Sequence, residues 1–317
     1  MRKIKGLFLL LAGFNAYSQQ TDSTLLTNKE KEPDKIWLFS APRLINANTV
    51  EMKLPGILEF KVMHNFGDIA GDEGGIDKFF GLDNIEDVRI GFQYGISKSL
   101  NISAARAKGA SLEQLYELGL KYRLMQQAND AKHPLSIALF GNVVVSAMDT
   151  NTNGKAILGG EKENAFETFS DRLSQTLQLM VGRRFGKLSL QLNPTVVHRN
   201  FVVDDDQNTI FAIGGAVRIP VVGKLSLIAD YFHSFRSQES VDSFKTKGVR
   251  FYDALGVGME FITEGHVFYL NFTNSTELLE NRFIPRTVTS WSKGEFRWGF
   301  TIARDFDLLW KKRNRNK

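Results

Sequence analysis

Charged residues recur at alternate positions through much of this 317-residue chain, set against bulky apolar neighbours. The set comprises Glu59, Lys61, Asp87, Arg89, Glu117, Lys121, Arg123, Arg172, Arg184, Arg199, Arg218, Asp230, Glu260 and Arg297. Gathered in one interior, such groups could pair, each cation offsetting the cost of burying a carboxylate. Seven of them are arginines, so they could instead line a polar passage whose guanidiniums favour anions. Pairing carries more weight, because small barrels are commonly filled by their own side chains or loops.

Two further chemistries deserve a test. A Ser nucleophile with a His base would hydrolyse lipid, if the two lay within hydrogen-bond reach and a third group oriented the imidazole. The histidines are His64, His133, His198, His233 and His266. His133 precedes Pro134 in a turn, and the other four share parity with apolar neighbours, which sets them at a membrane interface. His233 and Ser234 are adjacent, so on a strand they point to opposite faces. A lipid-acting enzyme is therefore a secondary alternative. The loop Asp149-Thr150-Asn151-Thr152-Asn153-Gly154 opens like a calcium-binding loop, with oxygen donors at alternate positions. Its closing carboxylate, Glu161, falls one residue late, so Asp149, Asn151, Asn153 and Glu161 form a weak Ca²⁺ candidate. Asp204-Asp205-Asp206 reads as a solvated loop tip, and Gly71 to Gly75 as a loop.

The elements that must position these groups are strands. In Val88-Arg89-Ile90-Gly91-Phe92-Gln93-Tyr94-Gly95-Ile96 the period is two, which places apolar and polar residues on opposite faces. Twelve such segments are expected: 57–66, 85–96, 100–108, 112–125, 135–147, 171–185, 188–201, 209–219, 225–235, 252–263, 266–275 and 295–306. Most suit a tilted crossing of a membrane, which takes about nine to eleven residues. Short and long links alternate between them, with Gly109 to Ser111 the exception, as in barrels with tight turns at one end and loops at the other. The expected fold is all-β: a single antiparallel transmembrane β-barrel of about 12 strands. Its lipid face would carry Ile90, Phe92, Tyr116, Leu118, Leu120, Tyr122, Trp298, Phe300, Ile302 and Phe306. A soluble secreted β-sandwich is the architectural alternative.

Met1 to Lys5 is basic, Gly6 to Gly13 apolar, and Ala16-Tyr17-Ser18 a small-x-small exit, the pattern of a signal peptide. The expected divisions are 1–18 signal peptide, 19–55 periplasmic leader and extended segment, 56–306 barrel, and 307–317 basic tail, with both mature ends periplasmic. Mean hydropathy of −0.20 does not fit a bundle of spanning helices. The net charge of +5 is dispersed, so no nucleic-acid partner is indicated. The chain lacks cysteine, which excludes disulfides, thiolate metal sites and a lipidated N-terminal Cys.

The blocks Arg43-Leu44-Ile45-Asn46-Ala47-Asn48-Thr49-Val50-Glu51, Gly56-Ile57-Leu58-Glu59-Phe60 and His64-Asn65-Phe66-Gly67 carry a family resemblance. So do Phe80-Gly81-Leu82-Asp83, Val88 to Gly95 and Gly119-Leu120-Lys121-Tyr122-Arg123-Leu124. Together they resemble the outer-membrane barrel family called domain of unknown function 5777, from about Ile36 to Phe306. The resemblance implies a barrel and assigns no activity. Arg297 to Phe306 also resembles the C-terminal signal that the barrel-assembly machinery recognises, with Arg304 at an apolar position. The expectation is a non-enzymatic outer-membrane barrel, either a narrow polar channel or a structural and interaction barrel. Its surroundings would be outer-membrane lipid, and its partner a small polar solute or a periplasmic protein.

Overall fold

The computed structural model describes residues 34–72, 74–151 and 156–309. The signal-peptide and basic-tail expectations lie outside these residues, apart from residues 307–309. The strands are β1 (Ile57–Asp68), β2 (Ile85–Gly95), β3 (Leu100–Ala107), β4 (Leu115–Met125) and β5 (Ser136–Ser146). A miniature hairpin follows, β6 (Ile157–Leu158) with β7 (Glu161–Lys162). The series continues with β8 (Leu173–Phe185), β9 (Leu188–Arg199), β10 (Thr209–Val222), β11 (Leu225–Phe235), β12 (Ala254–Thr263), β13 (His266–Thr273) and β14 (Arg297–Asp307). Leaving aside the hairpin, twelve described strands pair antiparallel with their neighbours, and β14 pairs with β1 to close the barrel. Closure leaves no strand edge unpaired.

Every expected barrel strand is present. β10 runs three residues past its expected end at Ile219, so its link to β11 shrinks to Gly223 and Lys224, with Gly223 at φ 53°. Links on one side are tight turns, apart from the longer one between β4 and β5 at residues 126–135. On the other they are longer and carry the hairpin, helix α1 (Gln238–Thr246) and helix α2 (Glu280–Arg286). These two rims are the turn end and the loop end of the barrel.

Parity divides each wall strand as the sequence requires. Along β4, Tyr116, Leu118, Leu120 and Tyr122 face outward, while Leu115, Glu117, Gly119 and Lys121 are buried within. Leu118 is 69% exposed and Phe211 58%. In water, each such side chain would forgo about 1.5–3 kcal/mol of burial. A continuous outward belt of this kind requires hydrocarbon around it. The sandwich alternative is thereby overturned: Phe92 and Leu120 point away from the interior of a closed barrel.

The interior corrects one expectation. The extended segment expected on the periplasmic side runs into the barrel: residues 38–53 lie inside it, and the ends of the segment lie at the mouth. The chain enters at the turn end, where the Ile36 amide bonds the Gln127 carbonyl. It climbs to a tight reversal at Leu44–Ala47, then returns to the turn end, where the Gly56 amide meets the Gly95 carbonyl. No period of two marks it, because it has no lipid side. Leu38, Phe39, Leu44 and Ile45 pack against inward Met180, Ile210, Phe232 and Tyr269. Two wall glycines make room. A Cβ on Gly95 would lie 2.2 Å from the Leu54 carbonyl, and one on Gly256 would lie 2.8 Å from both Asp230 and Ile45. From the loop end, residues 274–290 fold inward and bury α2, with Phe232 edge-on to Phe283 at 5.2 Å.

Candidate functional site

The inward charges are arranged around these two inserted segments. Wall side chains hold the N-terminal segment chiefly by its backbone. Asp230 accepts from the amides of Asn46 (2.7 Å) and Ala47 (2.9 Å), and from the Asn46 side chain (2.9 Å). Gln191 accepts from the Val50 amide and donates to the Asn48 carbonyl, both at 2.8 Å. Asn101 does likewise with the amide and carbonyl of Lys53, at 2.7 and 3.0 Å. The ammonium of Lys121 donates to the carbonyls of Pro42 (2.7 Å) and Thr49 (3.0 Å). Tyr269 donates to the Arg43 carbonyl, Ser189 to that of Leu38, and the Ser40 hydroxyl to Glu260. A strand-like segment without a ladder partner would otherwise bury unsatisfied amides and carbonyls, which is costly. The wall side chains supply what a neighbouring strand would.

The loop-end segment is held in the same way. Asp87 accepts from the amides of Leu278 (2.9 Å) and Gly109 (2.8 Å), tying α2's approach to the wall. Asn65 donates to the Ser275 carbonyl at 3.1 Å. The two inserted segments then meet each other. Arg43 forms an ion pair with Glu280 at 2.7 Å, their side chains 5% and 0% exposed, and also donates to the Leu278 carbonyl. Asn48 donates to the same Glu280 at 2.9 Å. Beside this junction Arg89 pairs with Glu117 at 2.6 Å, and Asn142 bridges Glu117 and Glu280 at 2.8 and 3.4 Å.

Other expected lumen charges find close partners. Glu59 pairs with Lys53 (2.6 Å) and Lys61 (3.1 Å), Arg218 with Glu260 (2.7 Å), and Arg297 with Asp68 (2.6 Å). Arg123 and Arg184 sit at the turn mouth, where Arg123 lies 5.7 Å from the Trp37 ring and Arg184 donates to the Trp37 carbonyl. They grip the entering chain and form no central constriction. Arg172 departs from its expected place on the wall. It lies in a short turn before β8 and donates to the carbonyls of Ser146 and Met148 at the loop rim.

Under the loops lies a second ion cluster. Arg282 pairs with Glu163 and Glu277, both at 3.1 Å, and Arg286 with Glu163 at 2.6 Å. Asp206 is corrected from a solvated tip to a buried bridge, 3.1 Å from Arg199 and hydrogen-bonded by Arg236. Burial works to raise the Glu163 and Asp206 carboxyls, but the flanking arginines outweigh it and hold both below the ordinary range. Spaces of about 30 Å³ beside Arg199 and Arg282, and about 20 Å³ beside Arg43 and Arg89, remain between the insertions and the wall. Each has room for about one or two waters.

Among the described residues, the catalytic and calcium candidates have other partners. His64 lies against Phe66, His198 reaches Thr209, His133 reaches Asp130, and His233 reaches Asp253 at 3.0 Å. Among the described residues no imidazole hydrogen-bonds a serine. Asp149 caps the Asn151 amide, whereas Glu161 is turned to Lys247 at 2.7 Å and to the Asp204 amide; Asn153 lies outside the described residues.

Sequence reasoning missed the neutral wall partners Asn101, Ser189 and Gln191, although each has inward parity between apolar neighbours. It also missed Arg43, Glu280 and Arg282, which lie outside any periodic segment.

The fold and its filled interior define a class: a membrane-embedded β-barrel plugged from both mouths by its own chain. The chain belongs to the membrane-bound β-barrel domain family DUF5777, which it matches over residues 39–306. The comparison with curated proteins finds no match. Among solved structures, the chain is similar to the NanC porin, at 7% identity and TM-score 0.45, covering 78% of this chain and 98% of that one. The KdgM porin gives 7% and 0.45 over 79% and 99%. An outer membrane channel from Pseudomonas putida F1 gives 12% and 0.44 over 84% and 100%.

Proposed function

We propose that this protein is a non-enzymatic outer-membrane barrel that stands closed, with a structural or interaction role performed at its two mouths. The observation that carries this reading is the Arg43–Glu280 pair, which joins the two insertions in the middle of the lumen. The turn end, where residue 36 enters and β14 finishes, would face the periplasm after export by the segment 1–18. A periplasmic partner would meet the barrel at that mouth. β14 would be the strand read by the barrel-assembly machinery.

A narrow polar channel is the second reading. It is favoured by the charged wall of Glu59, Lys61, Arg89, Glu117, Lys121 and Asp230, which would line a passage once the insertions left. Planar-bilayer recording of the full-length protein distinguishes the two. A closed barrel is silent. Steady conductance of the unaltered protein, lost on neutralising Arg89, Arg123 or Arg218, would establish the channel. Phospholipid turnover abolished by His64→Ala or His233→Ala would overturn the non-enzymatic reading.

A further inference from the structure

Two concave stretches lie on the lipid-facing belt, and charge distinguishes them. One, of about 670 Å³, runs from β1 through β5 to the edge of β8, with Ala104 and Gly141 between Phe92, Ile102, Leu118 and Leu120. No Lys, Arg, Asp or Glu lines it. The other, of about 560 Å³, spans β8 to β12. Its floor is made by Gly215 and Ala229, and its sides by Leu190, Leu192, Val217 and Tyr231. These residues are neighbours in register: Leu192 opposite Gly215, Gly215 opposite Tyr231, and Val217 opposite Ala229. Both volumes fall in the range of ligand sites, about 300–1,000 Å³.

At its turn end the second groove reaches Arg183, which faces outward near the end of β8. Its guanidinium carbon lies 4.9 Å from the ring centroid of Phe185. Among the described residues no carboxylate forms an ion pair with it. The far end has the opposite sign. There the Tyr231 hydroxyl donates to Asp253, which also holds His233 at 3.0 Å. The groove is therefore an apolar trough with a free cation at one end and a carboxylate at the other.

We propose that this groove is a site for an anionic phospholipid, with an acyl chain over Gly215 and Ala229 and the headgroup phosphate on Arg183. The trough is continuous with the membrane-facing belt, so its occupant is a lipid chain before any other molecule arrives. The charge at each end orients that lipid, drawing an anionic head to the turn end and repelling it from Asp253. A guanidinium presents two parallel N–H groups to phosphate oxygens. Stacking on Phe185 fixes its plane, so less side-chain entropy is lost on binding. Located next to the strand end, the side chain reaches the headgroup level along its own stem. The first groove, from β1 to the edge of β8, has shape without charge and serves as the internal control.

Native mass spectrometry tests this on the full-length protein in detergent, with phosphatidylglycerol and phosphatidylcholine of identical chains. The folded protein should retain phosphatidylglycerol about tenfold better, the ratio expected for a charged hydrogen-bonded contact near 1.4 kcal/mol. Arg183→Gln should bring the two lipids to parity. Ala229→Phe should reduce retention of both, while Ala104→Phe in the other groove should leave the preference intact. Equal retention by the unaltered protein, an undiminished preference in Arg183→Gln, or a retained pair of protein chains in place of lipid would overturn the proposal.

Discussion

Arg43→Met is the sharpest test of how the lumen is kept shut. The substitution removes the cation 2.7 Å from Glu280 and leaves that carboxylate fully buried. Its remaining side-chain donors are the amides of Asn48 at 2.9 Å and Asn142 at 3.4 Å, with the like charge of Glu117 sharing the second. Stranding one member of a buried ion pair costs about 3–5 kcal/mol. Much of that is recovered if the N-terminal segment leaves and water reaches the carboxylate. At about 1.4 kcal/mol per tenfold, 3 kcal/mol raises the released population about 100-fold. The chain has no native cysteine, so a single Ala47→Cys at the buried reversal reports release directly. Its labelling by a water-soluble maleimide should be slow in the otherwise unaltered protein and about 100-fold faster with Arg43→Met. Arg43→Met with Glu280→Met removes both charges, and labelling should slow again, because an apolar pair replaces an ion pair at little cost. Labelling at one rate in all three proteins would refute the reasoning, as would rapid labelling in the first.

The cluster under the loops should be acid-labile. Glu163 and Asp206 are held below their ordinary values of 4.5 and 3.8, so the docked state binds fewer protons than the released one. Its stability is therefore fully present above those values and lost as pH falls below about 4. A nitroxide on Glu167→Cys should show its spectrum sharpen there, and an unchanged line from pH 7 to about 3 counts against the argument. Gly95→Val places a side chain against the Leu54 carbonyl and should release the N-terminal segment while the barrel keeps its heat-modifiable mobility on gels. Loss of the barrel together with the segment would show that the two are one folding unit. Leu118→Arg, on the lipid face, should cost about 2–4 kcal/mol in folding titrations into vesicles if the residue lies near mid-membrane. A neutral effect would remove it from hydrocarbon.

The wall was legible because one side of it meets lipid. Alternation in Val88–Ile96 and Tyr116–Leu124 follows from a boundary with two unlike solvents, and it located each strand to within a few residues. Inward charge followed from the same parity. The insertions were not legible, because the body of the N-terminal segment, residues 38–53, and α2 are surrounded by protein and so have no preferred period. Glu280 and Arg282 look like ordinary loop charges until the topology folds them inward. Asp206 belongs to an acidic run that composition alone assigns to water, and only the arrival of Arg199 and Arg236 makes it a bridge. Arg172 was misplaced because β8 begins one residue after it, and parity says nothing beyond the end of a strand.

The N-terminal segment goes in and comes out by the same opening. Both of its feet, near Gln127 and Gly95, stand at one rim, and its bend lies deeper. Topologically it is a bight of rope pushed into a jar, neither threaded through the jar nor knotted to it. It could be drawn out and reseated while the β1–β14 seam stayed whole, so its share of the lumen could be cleared from one side of the membrane, leaving α2 seated from the other, without unfolding the cylinder.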